Sequence, residues 1–407
     1  MTTHFRFLLL AVCAFAASKT FSQSTNDVQP AEINAADHPS LQDALDALPV
    51  SGGIVRLNAG TYEIHEPLVV RTPETRLEGA GASSHLVNLN EDGEPALHIR
   101  PDEYATNSKA RIWRVQIGNF RISGNKKSGD GVLAQGIQEI FVHGLSIDHH
   151  GGNGINLVDC YEDPRVSDSI LTYNAEAGLN IVRGHDIIVN ANHFEENQDG
   201  LRCLDSFNLT CNANNFDDHL GDGIVIENTY GSVCSGNMIE ECNGIAIVLD
   251  RDCYGITLSS NVIAHDIQGG IDLRDAWGCT VSANSFVIVH HFGVRVGKNS
   301  GRIAITGNNF SNSYIGAAQH KRKSEHENPL QIDAGAGVVL QQTEDIAISG
   351  NVFAGMDGKA VSGIEESKRI SFTGNVVTDF GRRQQVDRAV GNPISESVSE
   401  ANVGIQD

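Results

Sequence analysis

The sequence predicts an all-β parallel β-helix, on two residue types that recur in phase and one pattern of alternation. Glycines opening apolar alternations fall at Gly154, Gly178, Gly200, Gly223, Gly244, Gly270, Gly293 and Gly337, with gaps of 24, 22, 23, 21, 26, 23 and 44 residues. The last gap reads as two lengths of 22. Asparagines keep step at Asn192, Asn214, Asn237, Asn261, Asn284, Asn308, Asn351 and Asn375. Such a period is the signature of a repeat architecture. Stretches such as Gly270-Ile271-Asp272-Leu273-Arg274 alternate, so one face is buried and the other is not. No unit has room for a helix of ~11 residues beside its strands. Each turn of chain, with three short strands, therefore stacks on the next at ~4.8 Å.

The elements of one turn follow from its columns. Three residues before each Asn stand Val189, Cys211, Cys234, Leu258, Val281, Ile305, Ile348 and Phe372, and two residues after it Phe194, Phe216, Ile239, Ile263, Phe286, Phe310, Phe353 and Val377. Both columns are apolar at every rung, as inward stacks must be. The Asn between them is a turn residue whose amide can pair with its neighbours. It builds the stack and does no chemistry.

Along the chain, Met1 to about Ser22 reads as a secretory signal, with Arg6 at its start, an apolar run from Phe7 to Ala17, and Ala14-Phe15-Ala16 as a small-residue cleavage pattern. No later stretch reaches the ~20 apolar residues of a membrane span, so an exported, soluble protein is expected. Residues 23–37 read as a polar leader. Leu41, Ala44, Leu45 and Leu48 have helical spacing behind Ser40 as N-cap, a short helix suited to plugging the open end of the stack. The β-helix domain is expected over 38–380, and residues 381–407 as a disordered tail. Lys321 to Glu327 reads as a solvated mixed-charge loop or a lid, in a stretch that is either a rung with an inserted loop or a loop alone.

After the helix come Gly52-Gly53-Ile54-Val55-Arg56-Leu57-Asn58-Ala59-Gly60-Thr61-Tyr62 and Leu77-Glu78-Gly79-Ala80-Gly81. With the Asn rungs, this order resembles the pectate-lyase-like right-handed parallel β-helix proteins over roughly residues 38–380. The resemblance implies a right-handed, single-stranded solenoid. It leaves the reaction open, because that superfamily holds lyases, hydrolases, epimerases, fructotransferases and proteins with no known activity.

The net charge is −22, or −24 once Arg6 and Lys19 leave with the signal, which argues against nucleic acid or an anionic membrane as partner, and against a polyanionic glycan unless a local basic strip or bound cation offsets it. Of eight cysteines, seven remain after Cys13 leaves. Cys203, Cys211, Cys234 and Cys279 fall in inward columns. Cys211 and Cys234 occupy adjacent rungs within the ~4.4–6.8 Å Cα range of a disulfide, and stacked free thiols are the alternative.

In the lyases it resembles, outward side chains of the strand before the Asn-turn strand floor a sugar groove. Mapped here, the floor is Asn156, Asn180, Arg202, Glu227, Asp272, Arg274 and Arg295. The loops leading into those strands form a wall of His149, His150, Glu176, Asp199, His219, Asp222, His265, Asp266, His290 and His291. β-Elimination from a uronate needs a base for the C5 proton and a cation for the carboxylate. Arg274 or Arg295 suits either part, His265 or His290 suits the base, and Asp222, Asp266 or Asp272 suits a Ca²⁺ ion. A glycoside hydrolase would instead use Asp199 and Asp222, although Cys242-Asn243-Gly244 stands where polygalacturonases carry Gly-His-Gly. An epimerase-like reading rests on Asp148-His149-His150 and Tyr173, without that family's Asp-Pro-His. The non-enzymatic reading is a glycan-binding or surface β-helix. The glycine-led strands carry no exposed aromatic for a neutral sugar; Trp277 is in a turn and Trp113 in an early rung. Outward Arg and Asp also form ordinary cross-strand pairs of ~0.2–1 kcal/mol. The expected partner is a polysaccharide or oligosaccharide.

Overall fold

The computed structural model describes residues 31–311, 336–356, 358–364, 366–378, 380, 389–391 and 397–404. The signal, residues 23–30 of the leader and the Lys321–Glu327 segment lie outside them. The chain is a right-handed parallel β-helix whose strands fall into three sheets of 12, 17 and 13 strands, and every pairing among the described strands is parallel. The 12-stranded sheet runs from Leu68–Val70 to Val361–Ser362 and carries the glycine-led strands. The sheets before and after the Asn turn hold the two apolar columns, both in register. Inside, rings stack from rung to rung: Phe194 on Phe216 at 4.7 Å, Phe286 on Phe310 at 4.7 Å and Phe310 on Phe353 at 4.6 Å.

The asparagines bond to one another. Asn261 Oδ1 accepts both the backbone N–H and the side-chain amide of Asn237, each at 3.0 Å, and the Asn237 amide also donates to Cys211 O at 3.1 Å. A buried backbone donor and both side-chain hydrogens are thereby satisfied at every turn, which a buried polar column requires.

The glycines have a steric cause. A Cβ on Gly200 would lie 2.5 Å from the Phe216 ring, and one on Gly293 2.5 Å from Phe310. Small residues occur where the chain passes under the inward side chain of the post-Asn sheet, a ring at Phe216 and Phe310 and an aliphatic group at Leu171 and Ile239. Register corrects one member: Ala246, not Gly244, faces Gly270. The uneven gaps of 21 and 26 were the trace of this misalignment.

Three further differences concern the ends and the insertion. Ala31–Asn34, within the expected leader, is a strand paired to Gly53–Arg56. Val398–Glu400, within the expected tail, pairs with the strand Lys368–Thr373, and Asn402 accepts from Asn375 at 2.9 and 3.1 Å. Apolar thinning suggested disorder there, but the Asn spacing had continued. The 44-residue gap is one rung plus an insertion, since Asn308 bonds Asn351 directly and Phe292–Val296 pairs with Ala336–Leu340.

The helix Leu41–Asp46 starts at Ser40, whose side chain accepts from Asp43 N and donates to its carboxylate. Gln42 then bonds both the N–H and the C=O of Val69, at 2.8 and 3.1 Å, so the helix closes the free edge of the glycine-led sheet. No helix of the described residues is long and apolar enough to cross a membrane.

Candidate functional site

Outward residues of the glycine-led sheet form two columns. One runs Asn156, Asn180, Arg202, Val225, Val248, Asp272, Arg295, and Glu227 lies beside Asp250 in the other. The amide of Asn180 donates to Asn156 at 3.0 Å. Beyond them the charges fall into two groups, separated by the buried Val225 and Val248.

In the first group Arg202 serves two acids, Asp199 at 2.8 Å and Glu227 at 3.3 Å. In the second group two arginines meet two acids, Asp272 and Asp250. Asp272 is fully buried although its strand position faces outward, because Arg274 and Arg295 close over it. Arg274 Nε donates to Oδ2 at 2.7 Å, Arg295 Nε donates to Oδ1 at 2.8 Å, and a second Arg295 nitrogen reaches Oδ2. Arg295 also lies over the Phe292 ring at 4.4 Å. Burial works against the charge on Arg274, yet its bond to Asp272 holds the guanidinium above its ordinary value. Two guanidinium groups thus share one carboxylate, with Asp250 3.8 Å from Arg274. They border a cleft of about 640 Å³ completed by Gly297, Lys298, Gln341, Gln342 and Glu366. The last five were missed in the sequence because they stand at strand ends, where alternation stops reporting direction.

The structure disperses the predicted wall. His150 and His219 are buried members of a second ladder, not groove groups. Asn174 Oδ1 accepts from His150 N, Asn197 Oδ1 from Asn174 N, and His219 Nδ1 from Asn197 N, at 3.1–3.2 Å. Burial lowers both imidazoles to about 4, and each leaves Nε2 unpartnered. His265 bonds Glu240 at 2.7 Å, and His290 pairs with Asp266. Neither histidine lines the cleft. His149 is bonded to Asp148 at 2.8 Å and stacks on Tyr173 at 5.0 Å, on the post-Asn side of the solenoid.

Asp199 and Asp222 hold backbone. Asp199 Oδ1 accepts from Asp222 N at 2.8 Å, and Asp222 Oδ1 accepts from Ile245 N at 2.7 Å. Burial raises Asp222 above its ordinary value, with the Asp199 charge adding to it. The three carboxylates expected at Ca²⁺ do not converge: Asp222 braces backbone, Asp266 takes His290, and Asp272 is covered by two arginines. Among the described residues, the one group of three ligand atoms within 4.8 Å of one another belongs to Asp217, Asp218 and Glu241.

The profile of the family described as "Periplasmic copper-binding protein (NosD)" matches residues 84–251 and 165–330, together more than half of the chain. No curated protein matches at the level of sequence. Among solved structures, the A-module of the Azotobacter vinelandii mannuronan C-5 epimerase AlgE4 is similar at 16% identity, over 86% of this chain and 100% of that one, with a TM-score of 0.57. The periplasmic alginate epimerase AlgG is similar at 14% identity, over 86% and 83%, with a TM-score of 0.59. For Bacteriophage CBA120 tailspike protein 3 the identity is 11%, the coverage 92% of this chain and 62% of that one, and the TM-score 0.59. At such identities the likeness is one of fold.

Proposed function

The chain belongs to the family described as periplasmic copper-binding protein (NosD), and from that premise we propose that it is a periplasmic, polysaccharide-active β-helix protein. Its ligand on this reading is a uronate-containing chain, held in the cleft over Asp272 and cleaved by β-elimination. One observation carries the reading: two guanidinium groups share a single buried carboxylate beside a cleft, on a protein of net charge −22. Arg274, Arg295 and Lys298 are matched in number by Asp272, Asp250 and Glu366; what suits a sugar carboxylate is the planar N–H donors of the two guanidinium groups at the cleft.

On this reading the guanidinium groups of Arg274 and Arg295 neutralise the uronate carboxylate and so acidify the C5 proton, and neither is the base. Glu366, bonded by the Gln342 amide, accepts the C5 proton. The C5–H electron pair becomes the C4–C5 double bond, the C4–O bond breaks, and Lys298 returns a proton to the leaving oxygen.

Copper fits poorly. Soft thiolate or imidazole donors would be required, yet the one three-ligand group among the described residues is all carboxylate. The seven cysteines of the described residues are buried, and burial pushes Cys160, Cys203, Cys242 and Cys253 up to about 12. No step is routed through a metal.

The test is a panel of alginate, polygalacturonate and neutral glucans, with Ca²⁺ and with chelator, read by ultraviolet absorbance of the unsaturated product and by reducing ends. Absorbance that survives chelation and falls at least ~100-fold in Arg295→Ala is the expected result. Reducing ends without absorbance would mean hydrolysis. Binding without either product would leave a glycan-binding protein.

A further inference from the structure

One surface of the solenoid takes no part in the cleft chemistry. At the turn that follows each glycine-led strand, an aromatic side chain recurs on six successive rungs: Tyr161, His185, Phe207, Tyr230, Tyr254 and Trp277. Backbone bridges fix His185, Phe207, Tyr230, Tyr254 and Trp277 opposite one another in turn. Neighbouring rings touch but do not lie flat together. His185 meets Phe207 edge-on at 5.7 Å, Phe207 and Tyr230 tilt by 47° at 5.2 Å, and Tyr230 and Tyr254 tilt by 33° at 4.3 Å. Inside the solenoid, by contrast, Phe194 and Phe216 stack within 3° of parallel. Tilting leaves part of the Phe207 and Tyr254 faces open, whereas Arg111 lies over Tyr161 at 5.0 Å and Arg302 over Trp277 at 5.9 Å. Phe207 and Tyr254 are 45% and 52% exposed, large values for residues on a regular surface.

Planar polar side chains run beside the rings. Asn208 donates to Asp186 at 2.9 Å, Asn228 donates to Asp205 at 2.7 Å, and the Tyr230 hydroxyl donates to Asn228 at 2.5 Å. The rungs of His185, Phe207 and Tyr230 thus offer a ring with amide or carboxylate groups beside it, at the ~4.8 Å strand spacing. A pyranose has this duality, with a C–H face that packs on an aromatic ring and equatorial hydroxyls that bond to planar polar groups. An extended sugar chain repeats it at nearly the rung spacing that the solenoid imposes on this column.

We propose that this column is a glycan-binding strip, on which an extended pyranose chain lies parallel to the solenoid axis with about one sugar per rung. The column begins three residues past Glu227 and Arg274, so it borders the same sheet as the Asp272 cleft, on the side away from the loops leading into the strands. The inference rests on the glycan reading above for its ligand class and is independent of the lyase chemistry.

The protein carries its own probe. It has two tryptophans, and both belong to this column: Trp113 is joined through Gln138 to Tyr161, and Trp277 pairs with Tyr254. Acrylamide quenching of wild-type tryptophan fluorescence is followed during titration with cellohexaose and with hexagalacturonate. In parallel, retardation is measured in gels containing β-glucan or polygalacturonate. Saturable protection of the tryptophans is expected with at least one hexasaccharide. Phe207→Ala with Tyr254→Ala should weaken it by about tenfold or more, while Tyr254→Phe keeps it. Retardation with silent tryptophans in the wild-type protein would overturn the strip and leave the glycan reading standing. Absence of retardation or protection with every glycan would overturn both. Self-association abolished by the double variant would identify a second copy of the chain as the occupant and overturn the strip. The wild-type quenching decides the matter even if the double variant does not fold.

Discussion

His219 and Asp272 are both buried polar groups, and they are partnered in different ways. The Asp272 carboxylate bridges two guanidinium groups. Removing that charge leaves them repelling each other over a half-buried floor, so Asp272→Asn should cost roughly 2 kcal/mol, discounted for the exposure of both arginines. The loss is measured by urea unfolding and should be smaller in Arg274→Gln/Asp272→Asn than the sum of the single losses. His219 and His150 are buried neutral near 4. The unfolded chain takes up protons near 6.5, before the folded one does. Stability is therefore full above about pH 6.5 and declines as pH falls towards 4, by roughly 3 kcal/mol per histidine. His219→Asn, matching the ladder's own Asn174 and Asn197, should shrink the difference in Tm between pH 7 and pH 4.5. An unchanged difference would place the acid sensitivity elsewhere.

At the scale of the strand and turn, the Asn ladder and the glycine column are two answers to one crowding problem. Asn261→Ala removes the acceptor of the Asn237 backbone N–H and amide and a donor to Cys234 O at 3.1 Å. Two to three buried polar groups lose their partners, a cost of about 3 kcal/mol. Gly200→Ala drives a methyl into Phe216 and Gly223 O and should destabilise by a similar amount, about 3 kcal/mol. Ala246→Gly, at a rung whose post-Asn column holds Ile263 instead of a ring, should cost only about 1 kcal/mol, through backbone entropy. Melting of the three variants side by side checks the ordering. These columns were legible in the sequence because each needs one residue type at a fixed place. The aromatic strip was not: its members are Tyr, His, Phe and Trp, and their function tolerates any of them.

For the molecule as a whole, each rung leans only on its neighbours, so an insertion that leaves and rejoins the stack is energetically local. Asn308 bonds Asn351 at 3.0 Å and Phe310 stacks on Phe353; the rungs on either side of the insertion already touch. Replacing residues 312–335 by a short Gly/Ser turn should keep the far-ultraviolet spectrum and lower Tm by no more than a few degrees. Loss of cooperative unfolding would show that the insertion carries stability. Activity on the glycan panel should be read on the same variant, because that segment lies in the chain just before the strand Ala336–Leu340, which pairs beside Arg295.

The sequence by itself determined the architecture. A solenoid's inward columns and turn residues are imposed by neighbours one period away, so local pattern and global fold state the same constraint. Its outward chemistry was determined only in part. Alternation correctly turned Asp272, Arg274 and Arg295 to one face, but it could not tell that Asp272 would be covered by both arginines. Nor could it tell that Asp199 and Asp222 would be occupied by backbone N–H groups, or that His150 and His219 would turn into the stack. Loop side chains have no period, and their direction is decided by which unsatisfied backbone group of the adjacent rung comes within hydrogen-bond reach. That is a property of the tertiary structure alone.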